Sequence, residues 1–301
     1  MEGRDAMEIK QLVDCRTLLG EGPLWDVDEQ RIYWIDSFGC KVFRAAPDGS
    51  EVESWNVPDK IGSMALRRKG GAVVSLRTGF HFLDLKSGDC ELIVDPEPDK
   101  ETTRLNDGKV DKRGRFVAGS MDMTEASDAG ALYRLDPDLT CHQIEDHIIV
   151  SNAPCWSPDG GTFYFTDTWS GELWAYDYDQ DQGTLSNKRV FVKAKPSDPA
   201  DKYAVPDGAT VDSEGYVWNA LVYGGEIIRY APDGSEERRF AMPVKKVTSV
   251  NFGGPELDVL YVTSMAEPPL PHLPQDGPLG GSLFAVTGLG VRGLPEPRFA
   301  G

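Results

Sequence analysis

No stretch of this sequence strings together the roughly 18 apolar residues that a membrane-spanning helix needs. Its opening, MEGRDAMEIKQLVDC, lacks the apolar core of a secretory leader. Basic residues are scarce, with 31 Lys and Arg against 49 Asp and Glu, for a net charge of −18. A surface of that sign repels phosphate backbones and anionic lipid headgroups, which argues against nucleic-acid and membrane partners. The 4 histidines include no pair at a metal-binding spacing. Cys15, Cys40, Cys90, Cys141 and Cys155 are scattered, without a Cys-x-x-Cys pair, so neither a zinc site nor a disulfide frame is indicated and the thiols read as reduced and buried. No Gly-x-Ser-x-Gly elbow and no phosphate-cradling glycine loop occurs, which leaves serine-hydrolase and nucleotide chemistry without local support. The expectation is a cytoplasmic protein, acting as a monomer or weak homo-oligomer.

What is present is a repeat. Short runs rich in aromatic and β-branched residues, RIYWID from Arg31, GAVVSL from Gly71, RFVAGS from Arg115, TFYFTD from Thr162, YVWNAL from Tyr216 and VLYVTS from Val259, read as strands. Most are followed by a second run ending in a turn, such as KVFRAAPDGS or EIIRYAPDGS. The spacing of roughly 40 to 55 residues is that of four-stranded propeller blades. No sustained helical period competes with it. The expectation is an all-β, six-bladed β-propeller with four-stranded antiparallel blades, one domain over residues 1–301. The ring would be closed by the N-terminal strand MEIKQLVDC lying beside strands of a segment that includes GSLFAVTG and GVRGLPEPRFAG, because an open seam leaves unpaired edges. MAEPPLPHLPQDGPLGG, inside the last repeat, reads as an extended rim loop.

Aligning the segments that lead into the strands exposes one variable column. With Asp26, Arg67, Asp111, Ser157, Asp212 and Gly253 equivalent, the residue five positions earlier is Glu21, Gly62, Asn106, Asn152, Asp207 or Thr248. In a propeller, equivalent residues take equivalent places around the axis, so this mostly oxygen-bearing column converges at the channel mouth. Glu21 and Asp207 with the amides of Asn106 and Asn152 would repel one another there unless a cation joined them. Oxygen donors suit Ca²⁺, Mg²⁺ or Mn²⁺, and the set also admits Zn²⁺ or Fe²⁺. Asp and Asn also stand at turns simply to bond nearby backbone.

At these residues the chain resembles the senescence-marker-protein/regucalcin and gluconolactonase family of six-bladed propeller lactonases. The matching pieces include LGEGPLWD, RLNDGKVDKRGRFVAGSM, VSNAPCWSPDGGTFYFTDT and VPDGATVDSEGYVWNALVYGGEIIRYAPDGS, in family order over nearly the whole chain. The resemblance implies one divalent metal held by Glu21, Asn152 and Asp207, with Arg104 and Asn106 on substrate oxygens. In AGSMDMTE it sets Thr124, flanked by Asp122 and Glu125, where relatives carry a sugar-contacting acid. In SNAPCW, Ala153 and Pro154 replace the more usual Gly-Leu, a change expected to alter the channel wall more than the metal. The activity implied is a lactonase of carbohydrate catabolism that hydrolyses a sugar-acid lactone, with Asp207 the candidate base. The rival is a non-catalytic Ca²⁺-binding propeller acting as buffer or sensor. Trp169, Tyr203 and Tyr223 are assigned to interblade packing, outside the site.

Overall fold

A computed structural model describes residues 6–301. Twenty-four strands form six four-stranded antiparallel sheets, a six-bladed β-propeller. The blades occupy residues 20–56, 61–94, 103–148, 151–193, 205–241 and 247–287. The last is completed by Glu8–Val13, which pairs antiparallel with Leu283–Thr287, so the ring is shut as expected. The rest of the expected closing segment behaves differently. Residues from Gly290 onward form no strand of that blade; they leave it and run beneath the ring. Their glycines and prolines explain why, since neither sustains a central ladder.

Inner strands are apolar on both faces because each blade packs a neighbour on either side. Thus Val217–Val222 and Phe116–Asp122 are buried at every position, and strict in/out alternation is lost. Outermost strands such as Thr184–Lys193 stay largely exposed. Trp218 and Ile227 of the fifth blade pack against Val250, Phe252 and Leu260 of the sixth, and burying Phe252 contributes about 1.5–3 kcal/mol. Turns are set by local chemistry: in Pro47-Asp48-Gly49, Asp48 accepts the Ser50 amide and Gly49 takes φ 85°, a left-handed conformation that glycine adopts without steric cost. The sole helical piece among the described residues is a 3₁₀ turn at Thr168–Ser170, and no helix is long and apolar enough to cross a membrane. All five cysteines are free.

The six innermost strands share one irregularity. Each slips register by one residue just after its first residues, between Glu21 and Leu24, Ile61 and Ser63, Leu105 and Gly108, Asn152 and Cys155, Pro206 and Ala209, and Val247 and Val250. Such a bulge bends a strand and re-aims its side chains. The variable column sits at these bulges.

Candidate functional site

Each column residue can now be followed to its use. Gly62 lies so close to the next blade that a Cβ there would stand 2.5 Å from the Asn106 backbone, so this position must be glycine. Thr248 spends its hydroxyl on the seam between the first and last blades, donating to the Gly20 carbonyl at 2.5 Å. The other four, Glu21, Asn106, Asn152 and Asp207, are at most 8% exposed and carry the oxygen donors.

Asn106 and Asn152 belong to a chain of side-chain hydrogen bonds. Arg104 Nη1 donates to Asn106 Oδ1 at 2.6 Å, Asn106 Nδ2 donates to Asn152 Oδ1 at 3.1 Å, and Asn152 Nδ2 donates to Thr168 Oγ1 at 2.8 Å. Asn106 Nδ2 also reaches the Ser151 carbonyl. The amides are thereby fixed in orientation, and the Asn152 oxygen keeps an unused lone pair.

The carboxylates are coupled through space. Burial drives the Glu21 carboxyl well above its ordinary range, with Asp207 and Asp107 adding repulsion. Asp207 is raised for the same reasons, burial first and then Asp107 and Glu125. Arg104 partly offsets both, and its own guanidinium is lowered by burial to about 10. Among the described residues, neither Glu21 nor Asp207 takes part in a salt bridge, and no cluster of three or more His, Cys, Asp or Glu stands at metal-binding spacing. The donor set is two carboxylates and one amide oxygen, buried and mutually repulsive, and it fits a hard divalent cation.

Three residues to which the sequence reading gave no place in the site belong to this centre, two of them, Ala153 and Glu125, already noted there as neighbours of it. Asp107 lies one residue beyond the column, accepts the Gly108 and Ala153 amides at 2.8 and 2.9 Å, and is raised by burial to about 6. Its signal was its place beside Asn106 in RLND. Ala153, next to Asn152, adopts φ 61°, as Gly22 next to Glu21 adopts φ 53°. A residue with a Cβ tolerates that conformation at a cost of about 1–2 kcal/mol, a cost that glycine does not carry. Glu125 accepts from Trp169 Nε1 at 2.7 Å; burial raises it, and Arg104 lowers it. Thr124, by contrast, is exposed, and its hydroxyl donates to Asp122, which ties the turn together through the Thr124 and Ser127 amides. Arg104, Asn106, Asn152, Glu21 and Asp207 come together; Thr124 stays on the rim, and Glu125 is the residue of that turn coupled to the centre.

The mouth above these groups is apolar. Leu19, Val222, Tyr223, Met265 and Leu273 pack with Phe38, Trp169 and Tyr203, so the aromatics assigned to packing do pack, but around the entrance. The rim loop contributes Met265 and Leu273 as well as Leu270.

A propeller whose axial mouth gathers paired carboxylates, fixed amides and a buried arginine defines a class of channel-mouth, small-molecule sites. The profile of the SMP-30/Gluconolactonase/LRE-like region matches residues 19–266, and the chain belongs to that family. It is 34% identical to Regucalcin of Xenopus laevis, covering 98% of this chain and 99% of that protein. It is 35% identical to 6-deoxy-6-sulfogluconolactonase of Pseudomonas putida, covering 97% and 99%. The structure of a calcium-binding protein, regucalcin, from Agrobacterium tumefaciens superposes with a TM-score of 0.87 at 27% identity, covering 96% of each chain.

Proposed function

We propose that the protein hydrolyses a sugar-acid lactone to the open-chain acid in a divalent-metal-dependent reaction. The observation that carries this is the meeting of two unpaired, buried carboxylates with an amide oxygen beside a buried arginine, supported by the family and by a relative named as a lactonase. Glu21, Asn152 and Asp207 would hold the cation, which when bound supplies Lewis-acid polarisation of the ester carbonyl. Arg104 has guanidinium N–H groups beyond the one given to Asn106 and Leu105, and these orient substrate oxygens. Asp207 is the base: burial and neighbouring carboxylates raise its proton affinity, which suits it to accept a proton from the attacking water. The water oxygen bonds to the carbonyl carbon, the ring C–O bond breaks, and the proton passes to the departing ring oxygen. Glu125 keeps one oxygen clear of Trp169 for a substrate hydroxyl.

The test is proton release over a panel of aldono-1,4- and 1,5-lactones, with chelated protein and then with Ca²⁺, Mg²⁺, Mn²⁺, Zn²⁺ or Fe²⁺ restored. Turnover that depends on metal supports the reading. Tight cation binding without turnover on any lactone would favour the second reading, a Ca²⁺-binding buffer or sensor, to which the calcium-binding relative lends weight.

A further inference from the structure

Opposite the mouth, residues 290–301 cross the end of the channel and bond to five of the six blades. The Ser213 amide donates to the Arg292 carbonyl and the Gly293 amide to the Leu257 carbonyl. Arg298 pairs with Asp26 at 2.6 Å, and Phe299 bonds Leu66 and Arg68 through its backbone. The Ala300 amide reaches Gly114, while Leu294 and Pro295 line a cavity together with Cys155 and Trp156 of the fourth blade. Beneath the site this leaves a cavity of about 30 Å³, lined among others by Asp107, Lys109, Asn251 and Glu296, room for about one water.

The charges around that cavity are ordered. Lys109, three residues beyond Asn106, pairs with Glu296 of the crossing segment at 3.2 Å, with the two side chains 19% and 12% exposed. Asp107, between Lys109 and the column in sequence, is satisfied by backbone amides instead. The Lys109 ammonium is therefore paired from below. It lowers Asp107 while Glu296 opposes it there, so with Glu296 neutral the offset of Asp107, and through it of the negative potential at the site, would be larger.

We propose that Glu296 is a positioning residue for the channel site: by pairing with Lys109 at 3.2 Å it limits how far that ammonium compensates the neighbouring carboxylates, and so sustains cation affinity from the opposite end of the channel. This rests on the cation reading of the site given above. A buried charge acts on a divalent ion twice as strongly as on a monovalent one, and screening by salt is weak there.

The test is calorimetric titration of chelated protein with Mn²⁺, without substrate, on wild type, Glu296→Gln, Lys109→Met and the double variant, alongside melting temperatures of the metal-free forms. Glu296→Gln should weaken Mn²⁺ about three- to tenfold, Lys109→Met should tighten it, and the double variant should return close to wild type. Loss of a mere plug would lower melting temperature in all variants without opposite shifts in affinity. Wild-type binding with Glu296→Gln within twofold of it overturns this proposal alone. No Mn²⁺ binding by wild type overturns it together with the cation site. If Glu296→Gln fails to fold, Lys109→Met carries the test, and unchanged or weaker binding there overturns the proposal.

Discussion

Asn106 and Asn152, from adjacent blades, share one hydrogen bond in which Asn106 Nδ2 donates to Asn152 Oδ1 at 3.1 Å. Asn106 Oδ1 also accepts from Arg104, so Asn106 is held at both ends and its amide fixes the orientation of Asn152. In the proposed site, with Glu21, Asn152 and Asp207 as ligands, Asn106 orients one of them. Asn106→Leu should lower metal affinity about tenfold, the usual cost of losing a partner behind a ligand, while calorimetry on Asn152→Ala shows a larger loss.

Asp207→Ala should abolish lactone turnover and strongly weaken metal binding. Without metal, its melting temperature should equal or exceed that of wild type, since one of three mutually repelling buried carboxylates is gone. A metal-free variant that unfolds would assign Asp207 a structural role.

Metal-free protein should lose stability as pH rises from about 4 to 6. Asp107 is raised by burial to about 6, and Glu21 and Asp207 are raised too, whereas unfolded carboxyls titrate near 4. The folded state then binds more protons in this window, and ΔG of unfolding falls with pH. Saturating Mn²⁺ should reverse the slope, because the cation selects the ionised carboxylates. Differential scanning fluorimetry across pH, with and without metal, reads both.

Arg104→Ala and Glu21→Gln should separate substrate from metal. The first leaves metal affinity nearly unchanged and lowers turnover by about one to two decades, as expected for a lost charge-assisted contact of about 1.5–3 kcal/mol. The second loses metal first, and excess metal recovers part of its activity. Equal loss of metal binding in both would remove Arg104 from the substrate side.

On the rim, Glu125→Gln should raise KM about tenfold or more, with metal binding intact, whereas Thr124→Ala should leave kinetics unchanged and cost at most about 1 kcal/mol of stability through Asp122. A kinetic defect confined to Thr124→Ala would restore it to the substrate side.

The ring was legible because its punctuation repeats: strand, turn and strand return at a blade's period, and the closing partner GSLFAVTG was in plain view. The column was legible because the innermost strands share one bulge, which preserves register. What escaped lies off that register. Asp107 is a neighbour of the column rather than a member, and the choice between Thr124 and Glu125 could not be made because Glu125 reaches the centre from a loop whose turn is fixed by Asp122. The crossing segment has no period at all; its course is set by contacts with five different blades.

The pairing of Glu8–Val13 with Leu283–Thr287 also sets an order of assembly. The first strand of the ring to be synthesised finds its partner only after all the intervening blades have emerged from the ribosome, so the ring snaps shut late, by a contact of very long sequence separation, the kind that folds slowly. Until then an unpaired strand edge is open to other chains. A cell producing this protein quickly would therefore meet its aggregation risk in nascent chains that are almost complete, and slower translation or a chaperone acting at that stage would raise the yield more than added stability in any single blade.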